Sequence, residues 1–552
     1  GERAGGGGWS GVEGMGGGGR KNTTGRARRS AARLGRPFLA LEDGCLRSMG
    51  RGKHGHAPWS IVVDDLGIYY DATRTSRLEH LLQFGTFGGA ECRRARRAIE
   101  HLVEANLSKY NHAPDFDLGP ATSRRVLVVD QSDGDLSLTL GRARPFDAML
   151  RDTLEEHPDA EILLKTHPDA LAGRARSSFD PARLDPRVRV LGAPASPQHL
   201  IAQVDHVVTR TSQFGFEALM AGRSVTLHGA PFHGGWGLTD DRVSVPRRTA
   251  RRSVEEIFAA AYLRYARYVD PETEQRCELE TVIERLALQR RLQERNRGTT
   301  VAVGFSRWKQ SFVPAFVSGI GSTVRFGAAT ERADRVLVWG TREVGEPAQV
   351  WRMEDGFLRS VGLGSDLHAP SSLVVDRVGM YYDPRTPSEL EALLQQGAFS
   401  EDELRRARVL RGRIAASGLS KYNPTTAQRV RGNAERDVVL VVGQVEDDAS
   451  IRLGCVDVRT NEALLTEARA ARPDAHLLYK PHPDVVSGNR IGAVGAAAQI
   501  ADEVVADASL AECLHHAAEV HTMTSLVGFE ALLRGLRVVV YGQPFYAGWG
   551  LT

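Results

Sequence analysis

Short apolar runs rich in valine, isoleucine and leucine recur along the chain, each closed by turn residues. RVLVVD, EILLKTH, DHVVTRTS and RSVTLHG lie between Arg125 and Gly229; DVVLVVG, HLLYKPH, EVHTMTS and RVVVYG lie between Asp437 and Gly542. Near-continuous apolar runs of this length suit strands buried on both faces of a parallel sheet. Helical periodicity fills the gaps. PFDAMLRDTLEEHPDA places Phe146, Met149, Leu150 and Leu154 on one face, and NEALLTEARAARPDA is its later counterpart. TPSELEALLQQ predicts an N-cap at Thr386, Pro387 at the first helical position and a capping box closed by Glu389. Ser253 and Glu256 predict another capping box. Strands alternating with helices imply doubly wound parallel sheets, with ligands at the carboxyl ends of the strands.

The two sets of runs belong to a long repeat. LEDGCLRSMGRGKHGHAP (Leu41–Pro58) returns as MEDGFLRSVGLGSDLHAP (Met353–Pro370), and IVVDDLGIYYD as LVVDRVGMYYD. LSKYN occurs at Leu107 and Leu419, and VLVVDQSDGDLSL returns as VLVVGQVEDDASI. LLKTHPD returns as LYKPHPD, TSQFGFEALMAG as TSLVGFEALLRG, and APFHGGWGLT as QPFYAGWGLT. Glu42 and Glu354 are 312 residues apart and His167 and His482 are 315 apart, far beyond a solenoid period. These are two copies of a catalytic-sized unit, each expected to hold two Rossmann-like sheets facing across a cleft.

The expected boundaries are a disordered Gly-rich leader over 1–19, a first module over 20–295 and a second over 296–552. The copies are unequal at their ends. The second opens with VAVGFSRWKQSFVPAFV and the strand-like RVLVWG, where the first has glycines and a basic stretch. The first sheet is therefore expected to lack its opening βα unit. The first copy continues past Gly237-Leu238-Thr239 into a helical tail, whereas the second stops at Thr552. Apolar surface that such a tail would cover is expected to lie exposed in the second copy.

Charge changes the picture little. The 552 residues carry 71 Lys and Arg against 68 Asp and Glu, a formal net charge of +3, which gives no support for a nucleic-acid coat. The basic runs Arg20–Arg36 and Arg247–Arg252 suit either solvated surface or an anionic membrane. Five scattered cysteines without CxxC spacing fit a reducing compartment and no structural zinc. No run approaches the ~20 apolar residues of a membrane span. The expected location is cytoplasmic, either soluble or peripheral.

The repeated motifs carry the candidate chemistry. Thr211-Ser212 and Thr524-Ser525 end a strand and lead into a helix, where hydroxyls and free N–H groups make an anion site. Glu217 and Glu530, one turn in, are placed to reach a ribose hydroxyl; the alternative is a capped helix with a packing glycine. Lys165 with His167, and Lys480 with His482, follow a strand and suit a phosphate, although isolated histidines are commonly structural. Two acidic groups recur: Glu42-Asp43 (Glu354-Asp355), and Asp133 with Asp135 (Glu446, Asp447 and Asp448). Separated carboxylates serve as nucleophile and acid/base in glycosyl chemistry, hold Mg²⁺, or simply shape a turn. Arg47-Ser48 and Arg359-Ser360 either pair with those acids or clamp a substrate carboxylate. Trp236 fits core packing better than sugar stacking.

Taken in order, EDGxLRSxG, VDxxGxYYD, LSKYN, QxxxDxS, KxHPD, TSxxGFEALxxG and PFxxGWGLT resemble the bacterial capsule polysaccharide synthesis family, over roughly residues 20–552. The tandem arrangement resembles its two-module β-Kdo transferases. The resemblance implies a GT-B-like glycosyltransferase fold in each module and CMP-Kdo as donor, with no further cofactor and metal dependence left open. It implies a Kdo-primed phospholipid acceptor, the inner face of the inner membrane and the capsule export machinery as surroundings, and no nucleic acid. It also implies a retaining reaction with Asp135 and Asp448 as nucleophiles, Glu42 and Glu354 as acid/base groups, and His167 and His482 at the CMP. The alternative is a single active module, with a decayed first module serving as scaffold for export.

Overall fold

The computed structural model describes residues 15–18, 25–52, 55–132, 134–166, 179, 184–328, 332–345, 349–362, 367–423, 428–488 and 490–552. His167 and Asp133 therefore lie outside the described residues. The chain forms two compact units, Gly1–Arg295 and Asn296–Thr552.

In the first unit the strands are β1 (Met15–Gly18), β2 (Phe38–Asp43), β3 (Ser60–Asp64), β4 (Arg125–Val129), β5 (Glu161–Lys165), β6 (Val188–Leu191), β7 (His206–Thr209), β8 (Ser224–Leu227), β9 (Asp240–Asp241), β10 (Ala266–Val269) and β11 (Arg276–Cys277). They make two sheets, ordered β1-β2-β3-β10-β11 and β6-β5-β4-β7-β8-β9. In the second unit they are β12 (Gly298–Val303), β13 (Ser322–Phe326), β14 (Arg335–Trp339), β15 (Val350–Asp355), β16 (Leu373–Asp376), β17 (Val438–Val442), β18 (His476–Lys480), β19 (Glu503–Val504), β20 (Glu519–Thr522) and β21 (Arg537–Val540). Their sheets run β13-β12-β14-β15-β16 and β19-β18-β17-β20-β21. Each unit thus has the α/β, two-sheet build of a GT-B-like glycosyltransferase.

The C-terminal sheets are parallel throughout, and the apolar runs explain why. Leu127 and Val129 of β4 join one core, while Val126 and Val128 face another with Phe146 and Met149. In β17, Val439 and Val441 face one side, and Leu440 and Val442 the other. A strand buried on both faces has no polar side to alternate with. Each fully buried Val or Leu contributes about 1.5–3 kcal/mol, so these central strands anchor the sheets. The helices Phe146–Glu156 and Asn461–Ala471 cover one face with the predicted apolar stripe.

Three expectations change. The N-terminal sheets are mixed rather than parallel, because β3 and β16 run antiparallel to β2 and β15. The Gly-rich leader supplies β1, in parallel register with β2: Gly18 stands opposite Leu41, as Trp339 of β14 stands opposite Met353. Glycine in a strand is entropically unfavourable, but the edge of β2 would otherwise leave its peptide groups unpaired. Among the described residues of this unit nothing corresponds to β12 or β13. Third, the helix Glu389–Gln396 is capped by Ser388, whose hydroxyl accepts from Glu391 N at 3.0 Å, two residues later than predicted. The capping box of Ser253 and Glu256 forms as expected. No helix among the described residues is long and apolar enough to cross a membrane.

Candidate active site

In each C-terminal sheet the strand order reverses at the first strand of the sheet, β4 or β17, whose neighbours are β5 and β7, or β18 and β20. Loops leaving such a switch point diverge and open a crevice for ligands. QxxxDxS leaves the carboxyl end of β4 and β17, and TSxxGF leaves β7 and β20. The structure joins the two motifs. Gln131 Nε2 donates to Thr211 Oγ1 at 3.0 Å, Thr211 N donates to Gln131 Oε1 at 2.9 Å, and the Ser137 and Thr211 hydroxyls are 2.8 Å apart. Gln444, Ser450 and Thr524 repeat this, with Gln444 Nε2 to Thr524 Oγ1 at 3.1 Å and Thr524 N to Gln444 Oε1 at 2.9 Å. Ser212 and Ser525 accept from the N–H two residues on, at 3.2 Å.

Asp135 and Asp448 are exposed N-caps at the mouth of this crevice. One oxygen of Asp448 accepts from Ser450 N at 2.9 Å and Ser450 Oγ at 2.7 Å. Among the described residues its other oxygen has no partner. Asp135 is capped the same way by Ser137 N at 2.9 Å, with Gln131 Nε2 a distant 3.4 Å from the second oxygen.

The second acidic group ends β2 and β15. Glu354 accepts from Asp355 N at 3.0 Å, and Glu42 from Asp43 N at 3.2 Å. Burial, reinforced by Asp355, holds the Glu354 carboxyl above the usual carboxylate range, against the pull of Lys421 and Lys309. The adjoining glycine has a reason of its own: a Cβ on Gly356 would come within 2.1 Å of the Ser372 hydroxyl. Arg359 is engaged internally. Its Nε lies 2.8 Å from Asp355 Oδ2, and Nη1 donates to Ser360 Oγ and His368 O, both at 2.9 Å. Arg47 repeats the arrangement with Asp43, Ser48 Oγ and His56 O. The ion-pair alternative thus describes these arginines better than the clamp.

The other candidate donor residues make internal contacts as well. Lys165 donates to Thr166 O at 3.0 Å and Ala193 O at 3.3 Å, and burial lowers its pKa to about 8. Lys480 donates to Ala508 O at 2.6 Å. His482 caps a short helix, its Nδ1 accepting from Asp484 N at 3.1 Å, and burial lowers its pKa against the pull of Asp484. Glu530 accepts the Lys421 backbone N–H at 2.7 Å, and Glu217 that of Lys109 at 3.3 Å. Burial raises their carboxyls to about 7 and about 8.

LSKYN is the motif whose role the sequence did not give. Its backbone ties the two halves of each unit: Arg359 N donates to Lys421 O at 3.0 Å on one side, while Glu530 holds Lys421 N on the other. Asn423 Nδ2 adds a bond to Ser360 O at 3.1 Å. Lys421 thereby lies among the acids. Its field and that of Asp448 both reach His482, and those of Glu354 and Asp448 both reach Tyr381 and Tyr382. A lysine between two turns of polar residues gives no periodic signal; only its recurrence at the same place in both copies marked it.

Comparison with known proteins adds to this geometry. The family model for capsule polysaccharide biosynthesis proteins matches residues 17–269, 342–423 and 410–552, on both copies of the repeat. The chain belongs to this family. Its relatives include the capsule polysaccharide modification protein LipA of Neisseria meningitidis, 42% identical over 576 residues, covering 98% of this chain and 81% of LipA. The lipopolysaccharide-processing protein LpsZ of Rhizobium meliloti is 41% identical over 261 residues, 46% of this chain and 59% of LpsZ. Among solved structures, the β-Kdo 2,4-transferase of Thermosulfurimonas dismutans KpsC is 42% identical, with TM-score 0.47, covering 49% of this chain and 86% of its own. The family likeness read from the repeated motifs is borne out.

Proposed function

We propose that the chain is a two-unit glycosyltransferase that transfers β-linked Kdo from CMP-Kdo, with no further cofactor, onto a Kdo-primed lipid acceptor in capsule synthesis. The observation that carries this reading is that Asp448, from the switch point of one sheet, and Glu354, from the strand end of the other, both act electrostatically on Tyr381 and Tyr382. In the first step the unpartnered Asp448 oxygen attacks the anomeric carbon, the bond to the CMP phosphate breaks, and CMP leaves with the electron pair. In the second, Glu354 takes the proton of the acceptor hydroxyl, which attacks the same carbon and displaces Asp448. Two displacements retain configuration. A carboxyl held by burial above the usual carboxylate range suits a group that must accept and release a proton. Asp135 and Glu42 take these roles in the first unit. The relatives' names support the reading: they cover capsule modification and, for the solved KpsC domain, β-Kdo transfer. The arginine-bearing helix Gly25–Arg33 suits work at an anionic inner-membrane surface, near the export machinery.

The test is the full chain with CMP-Kdo and a synthetic Kdo-primed acceptor. Elongation by Kdo with the donor's anomeric configuration retained is expected. Inverted product, or no transfer from CMP-Kdo, would contradict the proposal.

A further inference from the structure

The cations bordering the second unit's acids are mostly engaged. Arg359 is held by Asp355, Ser360 and His368 O. Arg490 pairs with Asp447 at 2.9 Å, Lys480 donates to Ala508 O, and Lys309 lies 3.4 Å from the centre of the Trp339 ring. Lys421 differs. Its backbone is fixed from both sides, by Arg359 N and Glu530, yet among the described residues no carboxylate lies within ion-pair distance of its ammonium. The Tyr422 ring lies beside it, 5.4 Å from Nζ to the centroid. The half-buried side chain is a pre-positioned cation with its charge left for a ligand. Burial alone would lower its pKa, but the surrounding Tyr422, Tyr381, Asp355 and Glu354 hold it well protonated. Lys109 lies 6.0 Å from the Tyr110 ring centre and differs in also hydrogen-bonding the Tyr69 side chain.

We infer that Lys421, and Lys109 in the first unit, receives the carboxylate of the transferred sugar acid, the role the sequence suggested for Arg359 and Arg47. This rests on the function proposed above, since it needs an anionic sugar. The geometry favours it for a mechanistic reason. An ammonium beside the acid/base group would hold the sugar's carboxylate away from that acid while leaving the anomeric carbon open. Replacing the charge should therefore weaken binding of the sugar acid and spare binding of the nucleotide.

The test uses the full chain carrying Asp135→Asn, so that transfer reports the second unit. In Lys421→Met, the KM for CMP-Kdo should rise about 10- to 100-fold, the range of one charge-assisted hydrogen bond, while inhibition by CMP stays within about twofold. A donor whose sugar carboxylate is replaced by a carboxamide should be used poorly by the parent and no worse by Lys421→Met. Lys421→Arg should recover part of the loss. Should Lys421→Met weaken CMP and both donors equally, or keep the parent's discrimination between carboxylate and carboxamide, the lysine's role is structural and the inference fails. A parent that neither binds CMP nor transfers the sugar acid fails the functional proposal, and this inference with it.

Discussion

The two units fix the same loop with different chemistry. In the first, Arg210 Nη2 donates to Asp130 Oδ1 and to Gln131 O, both at 3.2 Å, in a buried ion pair beneath the site. The second has Gly443 and Met523 at those positions. There the buried Asn461 takes over: its Oδ1 accepts from Gln444 N, and its Nδ2 donates to Gln444 O and Gly492 O, all at 2.8 Å. The glutamine that orders the Asp-bearing loop is held in both. What the repeat preserves is the position of the loop, not the contacts that hold it.

A second contrast concerns packing. Phe357 stacks on Phe545, with ring centroids 5.0 Å apart, and lies beside Phe529 and Tyr381. Its counterpart Cys45 is small, and in that unit Tyr262, stacked on Phe258 at 4.3 Å, stands against Phe216. Tyr262 comes from the segment after Ser253, which also covers the helices Arg77–Phe84 and Gly89–Glu104 through contacts such as Arg264 with Glu91 and Arg96 with Glu255. The corresponding helices of the second unit leave Leu393, Val409 and Leu410 at 53%, 60% and 49% exposure. Trp549 is 38% exposed where Trp236 is fully buried. The expected uncovered apolar surface is there.

If both units run one chemistry, Asp135→Asn and Asp448→Asn should each remove one kind of linkage, by about 10³-fold or more, with CMP binding kept. Linkage analysis of the products checks this, and an unchanged product from Asp135→Asn would make the first unit a scaffold. Glu354→Gln should slow the second unit by roughly 10²–10⁴-fold. The next largest effect tests the loop anchors. Arg210→Met removes the buried cation paired with Asp130, and should destabilise the first unit by about 3–5 kcal/mol. Adding Asp130→Gly, which recreates the second unit's pair, should restore most of it. Denaturation followed by hydrogen exchange at β4 and β7 measures both.

Exchange of the packing residues should matter less. Phe357→Cys is expected to destabilise the second unit by about 2–4 kcal/mol through the cavity it leaves, and Cys45→Phe the first by about 1–3 kcal/mol through overpacking against Tyr262. Thermal melts of each variant report this; a neutral Cys45→Phe would mean that the tail does not fill that space. The smallest effect is in pH dependence. Burial raises the Glu530 carboxyl from its ordinary 4.5 to about 7. The folded unit therefore binds more protons than the unfolded chain within that window, and its stability falls as pH rises through it. Glu530→Gln should flatten that slope in pH-dependent denaturation.

Both C-terminal sheets were legible in the sequence, since strands buried on both faces leave uninterrupted apolar runs at β4 and β17. The strand β1 was not, because its glycines carry no side-chain pattern and its position is set by pairing with β2. Among site residues, recurrence at one offset singled out Asp135, Asp448, Glu42 and Glu354. It did not reveal that Lys480 ends on a main-chain carbonyl or that Glu530 holds a lysine's backbone. Partners 28 and 109 residues apart leave no mark in local spacing. The arginine of LRS stood open between ion pair and clamp because its engagement with His368 O depends on how the loop folds back.

The proposed reaction passes through a covalent intermediate on Asp448. The most direct test mixes the full chain with CMP-Kdo and a poor acceptor, quenches it, and maps the adduct by mass spectrometry of its peptides. A sugar ester on Asp448 is expected, absent in Asp448→Asn and lost on adding a good acceptor. An adduct mapped to Glu354 or Asp355 would contradict it.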